Sequence, residues 1–311
     1  MKMKVFKTIQ EQISILESKG LIIDDYLFTE DILIRENYFF ISGYRHLFLK
    51  SPKDRNFIKG TTFRELYALF NFDRQVRNIV FKNLLIIENN LKSIISYQLS
   101  KKYGFREKDY LKPENFTKVP DKQRQLSDTL KKMKRQIRVN GAQHSATSHY
   151  LKNYGYIPLW VVVKVLSFGI VGELYTVMKR EDQEEIANIY DLSINNLLTY
   201  LPILSNYRNL CAHEDILYDH RTQKIIGDTR YHDGLDIPTT DGEYIYGKDD
   251  LFALIIILKQ LLRPEEFRLL INELSYEIDI LCGKLKVINI GKVLEDRKST
   301  RLNSSHAELS R

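Results

Sequence analysis

Near the end of an apolar run, the stretch NYRNLCAHEDILYDHR (206–221) brings Arg208, Asn209 and His213 together, with Glu214 and Asp215 directly behind. A guanidinium is charged at every physiological pH and can hold two phosphate oxygens at once. An imidazole takes up and releases a proton near neutrality. The two groups suit RNA cleavage without a metal. There a ribose 2′-hydroxyl loses a proton to attack the neighbouring phosphate, the leaving 5′-oxygen gains one, and charge grows on the non-bridging oxygens. On a helix over 195–213, Asn209 and His213 are four apart and share a face, while Arg208 lies about 140° around the axis from His213. One histidine does not easily serve as base and acid in one step; two copies meeting across the axis of a symmetric dimer would.

Taken alone, an Arg-x-x-x-x-His spacing also fits a plainer helix end. In that reading Arg208 pairs with Glu214 or Asp215, Asn209 is solvated, and His213 sits at a C-terminus where the helix dipole favours a cation.

Other segments could serve such a site. KKMKRQIR (131–138) carries Lys131, Lys132, Lys134, Arg135 and Arg138 on one helix candidate; it is either a surface that tracks RNA phosphates or a solvated face, and no aromatic residue interleaves it. Glu88 and Lys92 are four apart and face together, either as a surface ion pair or with Glu88 turned inward to orient Arg208 or His213. Trp160 and Phe168 read as core, as do most aromatics of 38–48. Cys211 reads as a small buried hydrophobe. His144 and His149 lie in a polar loop without acidic or cysteine neighbours, so no metal and no cofactor are expected.

The chain has 311 residues, 43% hydrophobic and 28% charged, enough apolar material for one large domain or two modest ones. Its net charge of +7 tilts towards a polyanionic partner. Two cysteines make no disulfide framework and suit a reducing cytoplasm. No apolar run is long enough for a signal peptide core or a membrane span; the richest, 157–171, contains Lys164.

The periodicity is helical almost throughout. Ile9, Ile13 and Leu16 form a short stripe with Gly20 as its stop. A turn is expected at Ser42-Gly43. The longest stripe covers 63–103; unbroken, it would run about 60 Å, so a bend is expected at 71–74. Residues 104–121 read as a connection, 122–138 as the basic helix and 140–148 as a polar break. Pro158 is placed to open a helix through Phe168. Helices follow at 171–180 and 182–190, and Ser193 caps the motif helix. Residues 222–248 are irregular or hairpin-like, with turns at Asp233-Gly234 and Asp241-Gly242. Helices at 249–262 and 265–284 complete about nine in an all-α bundle. The expected organisation is an N-terminal helical extension (1–60), a helical domain (61–286) with the 222–248 insertion, and a polar, aperiodic tail (297–311) that looks like a translated cloning adapter.

Four ordered blocks carry a family resemblance: NYFFISGYRHLF (37–48), FRELYALFNFDRQVRNIVFKNLLIIENNLKSIISYQL (63–99), IPLWVVVKVLSFGIVGELY (157–175) and RNLCAH (208–213). The chain resembles the Abi-like (AbiD/AbiF type) abortive-infection proteins, a branch of the HEPN superfamily of helical RNases, over about residues 5–285. The resemblance implies an all-α RNase with Arg208, Asn209 and His213 in its active site, metal independence and homodimerisation. It also implies a toxin-like role in phage defence, with an antitoxin or a structured noncoding RNA as possible regulatory partners. A non-catalytic RNA-binding module is the alternative. One departure stands out: relatives continue after the histidine with a basic-aromatic run, whereas here Glu214 and Asp215 follow and would repel RNA.

Overall fold

The structure is a computed structural model and describes residues 5–295, so the 297–311 tail lies outside the described residues. The N-terminal part contains α1 (Ile9–Ser18), α2 (Tyr26–Glu36) and α3 (Tyr38–Gly43), followed by a 3₁₀ turn, Tyr44–Phe48. Gly20 has a positive φ just beyond α1, as its stop requires. Ser42-Gly43 ends α3 instead of making a free turn. Gly43 packs closely on Ile216: a Cβ there would lie 2.9 Å from Cδ1 of Ile216, so the end of that side chain would have to shift.

The central element is α4 (Phe63–Tyr103), 41 residues long. Thr62 and Glu65 form a capping box at its start. The bend expected at 71–74 does not interrupt it. That segment holds no glycine or proline, and Asp73 and Arg77 lie inside the packed stripe at helical spacing with partners of their own. At 1.5 Å per residue the helix is about 60 Å long and works as the strut of the molecule.

The connection after it contains a single turn, α5 (Glu107–Tyr110), and leads to the basic helix α6 (Gln123–Asn140). The polar break already contains the start of α7 (Ser145–Tyr154). Pro158 does not open a long helix. It precedes only α8 (Leu159–Val162), and Ser167 then caps a separate α9 (Phe168–Val177), its hydroxyl accepting from Ile170 N–H at 3.4 Å.

Next come α10 (Arg180–Asn188) and the motif helix α11 (Ile194–Ala212), capped by Ser193 through Asn196 N–H at 3.1 Å. The 222–248 segment contains α12 (Arg230–Gly234) and a hairpin of β1 (Thr239–Thr240) and β2 (Glu243–Tyr244). Asp241-Gly242, both at positive φ, make the hairpin turn, whereas Asp233-Gly234 end α12. Last are α13 (Leu251–Leu261), α14 (Pro264–Lys284) and α15 (Ile290–Glu295).

The class is all-α with one small hairpin, although the described residues form fifteen α-helices where about nine were expected. The excess is short helices inside segments that the sequence presents as connections. Both α11 and α14 pack along α4, and α9 packs between α11 and α6. Buried residues from Ile13 to Leu294 form one contiguous hydrophobic cluster. No helix among the described residues is long and apolar enough to cross a membrane.

Candidate functional site

The motif residues occupy the last turns of α11, held to the core by buried Tyr200, Leu201, Leu204, Tyr207 and Cys211. Three different surroundings meet them. Arg208 faces α4, Asn209 opens on a cleft beside α9, and His213 caps the helix in solvent.

Arg208 does not pair with Glu214 or Asp215, as the plainer reading of the motif supposed. Its Nε donates to Oε2 of Glu88 at 3.2 Å, and its guanidinium lies 5.8 Å from the centre of the Phe81 ring. Glu88 is buried and takes a second ion pair from Lys92 at 2.7 Å. The Glu88–Lys92 pair is therefore internal, and the carboxylate is shared between a neighbour on its own helix and the motif arginine. A carboxylate this deep is costly to leave unpaired, and Lys92 and Arg208 both supply it with a cation.

His213 is the C-cap of α11, its N–H donating to Asn209 O at 3.0 Å. The chain then leaves through a Schellman turn. Glu214 N–H reaches Cys211 O at 3.4 Å and Asp215 N–H reaches Leu210 O at 3.2 Å. Such turns usually place glycine at the left-handed position; here Glu214 holds it at φ +58°. Part of the acidic departure thus has a backbone setting: Glu214 occupies the reversal that stops the motif helix behind its histidine.

That reversal is clamped from α4. Asp73, fully buried, accepts from Leu217 N–H at 3.1 Å, Tyr218 N–H at 2.8 Å and the Tyr44 hydroxyl at 2.7 Å, and it pairs with Arg77. Arg77 also donates to Tyr44 Oη at 3.0 Å and to Asp215 O at 3.4 Å. Burial pushes the Asp73 carboxyl up from its ordinary range, while Arg77, Tyr44 and the two backbone N–H groups pull it back. None of these residues belongs to the motif. Their sequence signal was an acid and a base four apart inside an apolar helical stripe.

The cleft that contains Asn209 has a volume of about 640 Å³ and is lined by neither Arg208 nor His213. Glu173 and Gly172 of α9, Pro202 and Asn206 of α11, and Lys224 form part of its wall. Pro202, inside α11, lacks an N–H and so cannot donate to the carbonyl of Leu198, a residue that also lines the cleft. At the rim, Nε2 of His220 lies 2.6 Å from Oδ1 of Asn206. Burial lowers the pKa of that imidazole, although Asp219 and Asp215 act in the opposite direction.

The basic helix borders the same region. Lys132 pairs with the cleft-lining Glu173 at 2.6 Å, and Lys131 pairs with Asp128 at 3.6 Å. Lys134, Arg135 and Arg138 are exposed. His144 has a local task, Nδ1 accepting from Ala146 N–H at 3.3 Å as the cap of α7, and Nδ1 of His149 lies 3.1 Å from the Asn153 amide.

Two aromatic expectations are corrected. Trp160 is 46% exposed, because its single-turn helix α8 turns Leu159, Val161 and Val162 inward. In the 38–48 segment Tyr44 and Phe48 are core, but Phe39 and Phe40 are exposed. Cys211 is buried, and burial pushes its thiol up to about 12. Exposed Cys282 should therefore react with a maleimide in the folded protein and Cys211 only after denaturation. Peptide mapping of the labelled protein checks this, and early labelling at Cys211 would contradict the packing described for α11.

Neither the comparison with curated proteins nor that with solved structures returned a match. A family model described as Abi-like protein matches residues 31–219, which span α4, the Asp73 clamp and the whole of α11. On that match, covering more than half of its length, the chain belongs to the Abi-like protein family.

Proposed function

We propose that the protein is an endoribonuclease of a bacterial abortive-infection system, cleaving RNA by 2′-hydroxyl attack at a site shared by two protomers. The family match supports the defence role. The observation that carries the chemistry is the motif helix end. Arg208 is held through Nε by buried Glu88, which leaves the Nη fork for phosphate oxygens, and His213 stands in solvent one helical turn beyond Asn209.

In this reading, His213 takes the proton from the 2′-hydroxyl as O2′ attacks phosphorus. The P–O5′ bond breaks, and the same histidine of a second protomer, in its protonated form, delivers a proton to the leaving oxygen. Arg208 balances the charge on the non-bridging oxygens. The products are a 2′,3′-cyclic phosphate and a 5′-hydroxyl. Within one protomer Arg208 and His213 face different surroundings, so a twofold arrangement of α11 helices is the route to a complete site. Lys134, Arg135 and Arg138 supply the surface along which the strand is drawn in.

The test is incubation of the purified protein with mixed single-stranded RNA in the presence of EDTA, followed by mapping of the ends. New cyclic-phosphate and 5′-hydroxyl ends are expected. The engagement of Arg208 by Glu88 also suits the second reading, a non-catalytic RNA-binding module. Salt-sensitive binding that leaves the RNA intact would decide for that module and against the nuclease.

A further inference from the structure

Away from the motif helix, the segments around α5, α7 and α8 carry a connected run of five aromatic rings, of which Phe105, Tyr154 and Trp160 are exposed and Tyr150 and Tyr156 half-buried. Phe105 lies 5.8 Å from Trp160 and 5.7 Å from Tyr156, centre to centre. Tyr156 lies 6.4 Å from Tyr154, and Tyr154 lies 5.4 Å from Tyr150. The guanidinium of Arg106 sits over the group, 5.3 Å from the Tyr156 ring and 5.8 Å from Phe105. Tyr154 is 57% exposed, Trp160 46% and Phe105 38%, so these rings meet one another without leaving water.

The backbone beneath them is braced. The Glu107 carboxylate accepts from Ile157 N–H at 2.6 Å, and the Tyr110 hydroxyl donates to Ile157 O at 3.0 Å. Gly155, at φ +75°, ends α7 and reverses the chain, which lets Tyr154 and Tyr156 join the same ring group. Ile157 also packs on the end of the basic helix, 3.7 Å from where a Cβ of Gly141 would be. Lys101, Arg106, Lys108 and Lys152 are exposed on the segments that carry the rings.

We propose that this surface is a stacking site for single-stranded nucleic acid, RNA being the strand that the proposed activity would meet. Exposed ring faces offer each base a stacking partner without reading its identity, and arginine and lysine beside them take the phosphates. A purely apolar partner surface would instead leave those cations facing it. The site is separate from the motif, and binding at it does not require that the protein cuts RNA.

Trp160 is the sole tryptophan of the chain, so intrinsic fluorescence reports on this surface. The full-length His213→Ala protein, in which cleavage is expected to be at least about a hundredfold slower, is titrated with a 12-residue oligouridylate at low salt, and the oligonucleotide is checked for integrity after each titration. Saturable quenching is expected, with an affinity that falls as salt rises. Phe105→Ala and Tyr154→Ala should each weaken binding by about five- to a hundredfold. Phe105→Leu, which keeps apolar volume but no ring, should lose as much as Phe105→Ala with an unchanged circular dichroism spectrum. A single-stranded deoxythymidylate should quench comparably, since the rings meet bases and not the 2′-hydroxyl. Polyphosphate of similar charge, and a duplex that hides its base faces, should not quench. Binding without a change at Trp160, unaltered affinity in the Phe105 and Tyr154 variants, or equal quenching by polyphosphate would each overturn the proposal. The readout is binding alone, so an absence of cleavage products leaves it in force and counts only against the nuclease.

Discussion

Replacing His213 by alanine is expected to lower RNA cleavage by about a hundred- to ten-thousandfold, with the protein as stable as before to within about 0.5 kcal/mol. The size of the effect follows from the role: in the symmetric reading each protomer's imidazole is base in one half of the site and acid in the other, and the variant removes both. The small effect on stability follows from the structure. The side chain is exposed, and the contact that matters for the helix end is the His213 backbone N–H to Asn209 O, which alanine retains. Cleavage rates measured beside urea unfolding separate the two. A His213→Ala protein that is equally stable and cuts RNA at the wild-type rate would remove His213 from the chemistry. Equal toxicity of the two proteins in a bacterial host would say the same in the cell.

The largest loss of stability is expected at Asp73. Asp73→Ala strips a fully buried carboxylate from Arg77, itself buried, and leaves the Tyr44 hydroxyl and the N–H groups of Leu217 and Tyr218 without that acceptor. Breaking a buried ion pair from one side costs about 3–5 kcal/mol, because the remaining charge stays in a poor solvent. A double variant, Asp73→Leu with Arg77→Met, should recover part of this, since no unpaired charge is then buried. Urea titration of the three proteins is the check. A loss below about 1 kcal/mol in the single variant, or a double variant worse than the single, would mean that the clamp is not what holds the segment after His213.

Much of the scaffold is legible in the sequence because its signals are local. Ser193 caps the motif helix, Gly20 stops α1, and Asp241-Gly242 turn the hairpin, each through chemistry confined to a few neighbouring residues. The failures share a different cause. The length of α4 looked excessive for a globule, so its polar 71–74 segment read as a bend. Asp73 is instead at home in the helix because its partners arrive from Tyr44 and from residues 217–218, far away in sequence. Trp160 read as core from its type, yet its exposure is set by which side of a one-turn helix faces inward. Within the site, the motif identified the three residues on α11 but could not decide between two roles for Glu88. That depended on whether α4 lies against α11, a tertiary fact.

Both anchors of the motif helix come from one element. Glu88 fixes the arginine and Asp73 fixes the strand of chain behind the histidine, and the two acids lie on the same helix, made long before α11 emerges during synthesis. A nascent chain therefore carries the sockets first and the plug last. If the motif is the active site of a protein that injures its own host, the order of translation is itself a safety catch: a product that ends before α11 lacks Arg208, Asn209 and His213 and could not be armed.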